Sequence, residues 1–151
     1  MTLAPPAPSP APPEAQHHSF RFDLPSGATA PKIARTVLGD LLTLLGVDDL
    51  ADDVRVLVSE LVTNVHLHTS TPVVRLDVAV HPTSVRVAVW DDAPRSRLLS
   101  LPALADDKSG RGLLLVEALA SRWGIYRPNV ECRTRKGVWF ALDRDAREDA
   151  A

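Results

Sequence analysis

The chain has 151 residues, with 17 Lys and Arg against 19 Asp and Glu, and a formal net charge of −2. Domains that bind nucleic acids usually carry a basic excess, so this balance argues against direct binding to nucleic acid. Apolar residues make up 45% and charged residues 24%, values typical of a globular domain and not of a disordered chain. Cys132 is the only cysteine, which excludes an intrachain disulfide and a cysteine-based zinc site.

The N-terminal segment differs in composition from the rest of the chain. Six of the 13 prolines fall within the first thirteen positions, and residues 1–18 are mostly Pro, Ala and Ser. Such a segment favours extended polyproline-like conformations and has too few large apolar groups to offset the entropy of ordering. We therefore predict a disordered tail at 1–18, with a partner-binding proline motif as the alternative. Residues 19–143 are expected to form one domain, followed by a short charged tail at 144–151.

The first residues lack the basic and apolar regions of a secretory signal, and no stretch approaches the ~18 apolar residues of a membrane span. The sequence therefore predicts a cytoplasmic protein that does not interact with membranes.

The first half of the domain predicts one strand and two helices. Ser19 to Leu24 alternates apolar and charged residues, as in a strand. A helix that begins near Pro31 and ends before Gly46 follows, and Asp48 or Asp49 is placed to cap a second helix that runs to about Thr69. The apolar positions at helical spacing are Ile33, Val37, Leu38, Leu41, Leu44 and Leu45 in the first helix, and Val54, Val58, Leu61 and Val65 in the second.

The second half changes to a period of two. Residues 74–80 and 85–90 alternate on either side of a turn at 81–84 and predict a β-hairpin. Residues 92–109 show no sustained period and predict a long loop, before a third helix at about 110–121. Two last strands are expected at 123–127 and 137–142. This order of elements predicts an α+β two-layer sandwich with a mixed, largely antiparallel sheet and helices on one face.

Three polar positions on the second helix share a face. Glu60, Asn64 and His68 are spaced i, i+4, i+8 and so form one polar stripe beside the apolar one. Such residues on a helix usually face solvent, so the spacing alone does not indicate a site.

Asp91 lies at the inward-facing end of the second hairpin strand. The alternation of Val85, Val87 and Val89 puts Asp91 on the buried face. A carboxylate there is costly unless it has a partner. An amine donor from a ligand and a backbone N–H in the following turn are both suitable partners.

Two glycines precede the third helix. Ser109-Gly110-Arg111-Gly112 would let the backbone approach a bound group closely, and the helix N-terminus favours negative charge. A simple helix entry explains a lone G-x-G equally well. The segment is neither a dinucleotide-binding fingerprint nor a P-loop, because it lacks a third glycine, a preceding strand and a G-K-[ST] sequence.

Taken in order, these segments resemble the GHKL ATPase/kinase superfamily, and within it the bacterial anti-sigma factors with serine/threonine kinase activity, especially small actinobacterial ATP-binding regulators. The resemblance covers about residues 19–143. The segments that carry it are Ser59–His68, Val89–Pro94, Gly110–Val116, Leu119–Gly124 and Gly137–Phe140.

The resemblance implies an ATP site with Mg²⁺. It implies that Asn64 is the Mg²⁺ ligand, that Glu60 is the catalytic residue that orients or deprotonates an attacking hydroxyl, and that Asp91 accepts the adenine amino group. It makes residues 92–109 a lid over the nucleotide. The remaining implied nucleotide contacts are Ala93, Lys108, Ser109, Gly110, Arg111, Gly112 and Leu113.

Two functions follow from the resemblance. One is a protein kinase that phosphorylates a serine on an anti-sigma-factor antagonist of the STAS type and can sequester a sigma factor. The other is an ATP-binding anti-sigma or adaptor module with weak or no kinase activity. Ala93, Val65 and Lys108 depart from the superfamily's usual residues, which bears on turnover more than on nucleotide binding. A homodimer is also implied.

Overall fold

The computed structural model describes residues 17–91, 111–126 and 136–144. Within these ranges the predicted elements are present in the predicted order, while the predicted loop at 92–109 and most of both predicted tails lie outside them. No helix among the described residues is long and apolar enough to cross a membrane. The elements are β1 (His18–Pro25), α1 (Ala30–Leu44), α2 (Asp48–His68), β2 (Val73–Val80), β3 (Ser84–Asp91), α3 (Arg111–Leu119), β4 (Arg122–Tyr126) and β5 (Lys136–Asp143).

The strands form one five-stranded sheet in the order β1-β2-β3-β5-β4. Every pairing between the described strands is antiparallel, so the expected α+β architecture is confirmed with no parallel pair among them. Charged residues on the outer face agree with this register. Arg21 lies opposite Asp77, with an Nε to Oδ1 distance of 2.9 Å, and the Arg75–Asp23 pair has a distance of 3.0 Å.

One face of the sheet is apolar and is covered by helices. Its buried strand residues include Leu76, Val87 and Phe140. Helices α1 and α2 pack on each other, and α2 packs against β3. The predicted stripe of α2 is confirmed, since Val54, Val58, Leu61 and Val65 are all buried. Each such side chain stabilises the fold by about 1.5–3 kcal/mol relative to full exposure.

The predicted apolar stripe of α1 is partly wrong. Leu44 is 83% exposed and Ile33 is 40% exposed. The face that packs against α2 and the sheet is instead an i, i+4 row of two small and two large residues: Ala30, Ala34, Leu38 and Leu42. Leu38 of the predicted stripe belongs to this row, and Leu41 and Leu45 pack against the core while remaining partly exposed, so only part of the predicted stripe is buried.

The link between the two helices is a Schellman turn. Gly46 has φ +75°, its N–H donates to the carbonyl of Thr43 (3.1 Å), and the Val47 N–H donates to the carbonyl of Leu42 (2.8 Å). Val47 is also the N-cap of α2, without a side-chain cap. Asp48 and Asp49 lie in the first turn, where they favour the helix dipole, and neither of them is the cap.

Candidate functional site

The polar stripe of α2 is only partly exposed to solvent. Glu60 and Asn64 are both half-buried. The Oδ1 atom of Asn64 is buried and has no hydrogen-bond partner among the described residues. A buried acceptor without a partner costs about 1–3 kcal/mol, so a ligand, an ion or a water molecule is expected to satisfy it.

Hydrogen bonds hold the turn of α2 that carries Glu60. Arg35 of α1 donates from Nη1 to Ser59 Oγ over 2.9 Å, which ties the two helices together next to Glu60. Thr63 donates from Oγ1 to the carbonyl oxygen of Ser59 over 2.7 Å. Ser59, the residue before Glu60, is therefore held by one hydrogen bond from α1 and one from within α2.

Asp91 faces the core side of the sheet, as predicted. It is the last residue of β3 and is only 5% exposed. In the β3–β5 register it lies directly opposite Lys136, the first residue of β5. Opposite charges at directly opposed positions of antiparallel strands stabilise each other. The carboxylate is thus placed among apolar strand residues beside a cation.

The C-terminal end of α2 and the end of β3 meet at one end of the sheet. Strand β2 begins at Val73, and because β2 and β3 are antiparallel, its start lies beside the end of β3. Only residues 69–72 join α2 to β2, so the last turns of α2 lie at the same end. Asn64 and Asp91 are therefore carried to a common region by elements that pack on each other.

The sequence argument missed two polar residues in this region. Thr71, in the link between α2 and β2, is 5% exposed. Its backbone N–H donates to Thr69 Oγ1 (3.3 Å), and the Thr69 hydroxyl donates to the carbonyl oxygen of Val65 (2.6 Å). No periodic signal singles out Thr71. The inward position of Lys136 could have been predicted from the sequence. Lys136 precedes Val138, Phe140 and Leu142 at a spacing of two, which is the same alternation that identified Asp91.

His68 is a third polar group at this end. Its Nε2 atom is buried one turn beyond Asn64 on the same stripe and has no hydrogen-bond partner in the described part of the chain. The stripe thus contains two buried polar atoms that the described residues leave unsatisfied.

The predicted phosphate-binding segment is described only in part. Helix α3 begins at Arg111 and packs against α2, so Arg111 and Gly112 occupy its first turn, and the Leu113 side chain is half-buried. Ala93, Lys108, Ser109 and Gly110 lie outside the described residues. Their predicted contacts with a nucleotide, like that of Asp91, stay predictions.

Comparison with known protein families places the candidate site within a recognised domain family. A family model for histidine kinase-like ATPase domains matches residues 25–135, nearly three quarters of the chain. The matched range includes every site residue predicted from the sequence, and Lys136 lies one position beyond it. No curated protein matches the chain.

Proposed function

Because the chain belongs to the histidine kinase-like ATPase domain family, we propose that it binds ATP with Mg²⁺ and acts as a serine/threonine protein kinase of the anti-sigma factor type. The observation that carries the proposal is the buried, unpartnered Oδ1 of Asn64 on a stripe shared with Glu60. This pattern supplies an acceptor for a cation and a carboxylate one turn away. Both lie on the helix that packs against the strand ending in Asp91.

The residues present fit a magnesium ion. Mg²⁺ prefers oxygen ligands and is usually held by one or two protein groups together with phosphates and water. Asn64 Oδ1 is an oxygen of this kind, and no described residue is its hydrogen-bond partner. When bound, the ion would neutralise charge that develops on the transferred phosphoryl group.

Asp91 supports selection of adenine. A carboxylate is an acceptor only, so it pairs with the exocyclic amino group of adenine and not with the carbonyl that guanine presents at the same place. Its burial at the end of β3 makes this discrimination stronger, because an unmatched acceptor there would lose its solvation. Lys136, opposite Asp91, places a cation beside this carboxylate.

Glu60 is the residue proposed to act on the protein substrate. One turn before Asn64, its carboxylate would orient a serine hydroxyl and accept its proton as the oxygen attacks phosphorus. The half-buried position of Glu60 leaves it accessible to a partner protein. The proposed partner is an anti-sigma-factor antagonist of the STAS type, with sequestration of a sigma factor as a second role and a homodimer as the proposed assembly.

The alternative is an ATP-binding anti-sigma or adaptor module without significant kinase activity. Val65, directly after Asn64, stands where the superfamily resemblance implies a small residue, and its side chain is 7% exposed. A larger side chain at this point favours a site that binds nucleotide and turns over slowly.

The nucleotide site is tested with Asp91→Asn. Replacing one carboxylate oxygen by an NH₂ group puts a donor where adenine also presents a donor, so ATP affinity should fall about ten- to hundredfold. Isothermal titration calorimetry with Mg²⁺ measures this change. Asp40→Asn, an exposed position on α1, is the matched control. Equal ATP affinity for Asp91→Asn and the wild type would refute the site.

The choice between kinase and adaptor is tested with Glu60→Gln. This change keeps shape and hydrogen bonding but removes the base, so ATP affinity should be retained while phosphoserine formation falls at least about a hundredfold. Labelled ATP is incubated with the wild type or the variant and candidate STAS-domain proteins. If the wild type binds ATP but modifies none of them, the adaptor alternative is supported. Activity that survives in Glu60→Gln would remove Glu60 from its proposed role.

A further inference from the structure

The outer face of the sheet, opposite the helices, carries a groove. It has a volume of about 640 Å³, and its lining includes Ser19, Arg21, Asp77, Arg86, Trp90 and Tyr126. We call this the outer groove. Volumes of this size are typical of ligand sites. The described helices pack on the other face, so the outer groove is separate from the candidate nucleotide site.

Two aromatic rings, Trp90 and Tyr126, line one side of the outer groove, and Trp139 lies next to Tyr126. The Trp90 and Tyr126 rings are stacked, with centroids 5.5 Å apart and planes at 4°, and the Tyr126 and Trp139 centroids are 6.0 Å apart. Gly137 lies opposite Trp90 and Gly124 opposite Trp139. A Cβ at either glycine would come within 2.8 Å of the indole. The glycines therefore let both rings lie flat on the sheet, so the aromatic surface is preformed.

The polar groups of the outer groove are mainly donors. The Arg86 guanidinium lies over Trp139 at 4.1 Å and over Tyr126 at 5.2 Å, and it has no carboxylate partner among the described residues. The Nε1 of Trp90 is buried and has no acceptor within residues 17–91, 111–126 and 136–144. The carboxylate of Asp77 is engaged by Arg21.

This chemistry fits a proline-rich peptide. Proline rings stack on Trp and Tyr, and a polyproline II helix leaves all its carbonyl oxygens free to accept hydrogen bonds. Proline contributes no N–H of its own, so such a peptide offers acceptors and few donors. The outer groove is complementary to such a peptide. It offers aromatic faces and hydrogen-bond donors, and its lining carboxylate, Asp77, is already paired.

We propose that the outer groove binds a proline-rich segment, and that its occupant is residues 1–16 of this same chain. Six prolines lie in that segment. The chain enters β1 beside the groove, because Ser19 lines the groove and His17 Nε2 is hydrogen-bonded to Ser19 Oγ at 2.6 Å. The His17 ring also packs on His81, with centroids 4.2 Å apart.

The segment is long enough and is held close by its attachment. Sixteen residues in polyproline II span roughly 50 Å, whereas five strands at about 4.8 Å spacing span roughly 20 Å. A segment joined directly to β1 has an effective concentration near the groove on the order of millimolar. Even weak stacking contacts are therefore sufficient for occupancy. This inference does not depend on the proposed kinase function.

The test uses the full chain labelled with ¹⁵N at tryptophan. The indole N–H resonances of Trp90 and Trp139 report on the groove, while Trp123, on the opposite face of the sheet, is the internal control for folding. Replacing all six prolines of residues 1–16 with serine should shift the Trp90 and Trp139 resonances and leave Trp123 unchanged. Identical spectra for the two chains would overturn the proposal.

A synthetic peptide of residues 1–16 provides the second arm of the test. Added to the proline-to-serine chain, it should return both resonances to their original positions. In the proline-to-serine chain, Arg86→Ala should lower the affinity for the peptide about tenfold. Arg122, on the same face, is paired with Asp143, so Arg122→Ala is the control and should leave the peptide affinity unchanged. Arg86→Lys keeps the charge without the planar stacking and should also weaken it.

Two other outcomes would overturn the proposal. If the shifts appear only as protein concentration rises, the groove binds a second copy of the chain and the proposal is wrong. If the peptide fails to saturate and the resonances stay unmoved, the groove does not bind proline-rich sequence.

Discussion

At the scale of single residues, the proposed role of Asn64 conflicts with stability. Its Oδ1 is buried on the helix that carries much of the core, and none of the described residues satisfies it. An apolar residue of similar size would avoid that cost. The proposed Mg²⁺ contact would explain the amide, whereas its contribution to the fold does not.

Asn64→Leu should accordingly separate stability from function. Without nucleotide, the variant should be more stable by about 1 kcal/mol, since an unsatisfied acceptor is removed. Its ATP affinity should no longer respond to Mg²⁺. Urea unfolding measures the first effect, and calorimetry with and without Mg²⁺ measures the second. Asn64→Asp, which keeps an oxygen ligand, is the control and should retain the Mg²⁺ response. Wild-type Mg²⁺ dependence in the leucine variant would contradict this role.

At the scale of elements, a tight turn joins α1 to α2, and the two helices pack on each other. The Schellman hydrogen bonds of Gly46 and Val47 require a left-handed residue at position 46, and Val47 is then buried beside Leu42. Because α2 carries Glu60 and Asn64, this turn positions the site as well as the helix.

Gly46→Ala should destabilise the protein by about 1 kcal/mol, because φ +75° is unfavourable for a residue with a Cβ. The loss comes from the backbone conformation of residue 46 itself and not from a clash with other residues. Apart from the two neighbouring residues in the chain, no atom lies within 4 Å of the added Cβ. Gly27 has equally open space around its Cα and no positive φ. Gly27→Ala should therefore leave the free energy of unfolding unchanged or raise it slightly. Chemical denaturation of both variants gives the comparison. Equal stabilities would show that the turn tolerates an alanine.

Element types could largely be predicted from local pattern. The period of two in β2 and β3 and the stripe of α2 are properties of neighbouring residues, and the structure confirms them. The α1 stripe was predicted less well, because Ile33 and Leu44 fit helical spacing but lie outside the contact with α2. Periodicity identifies an apolar face, whereas the partner element decides which part of it is buried.

At the scale of the whole molecule, the sheet separates two surfaces with different chemistry. Its helix-covered face ends in the buried carboxylate of Asp91 and the polar stripe of α2. Its outer face presents cross-strand ion pairs and the aromatic groove. The near-zero net charge is compatible with the proposed function, since a site of the proposed kind, with Asn64, Asp91 and a helix start, would need no basic surplus.

The sequence by itself determined the elements, the inward position of Asp91 and the family resemblance, because each depends on residues close together in the chain. Only the tertiary structure decided that β3 pairs with β5 while β4 forms the edge. That pairing places Lys136 opposite Asp91 and brings Trp90, Tyr126 and Trp139 together. The alternation within a strand assigns its side chains to two faces but carries no information about which strand lies beside it. The neighbours are selected by the packing of the complete sheet against its helices.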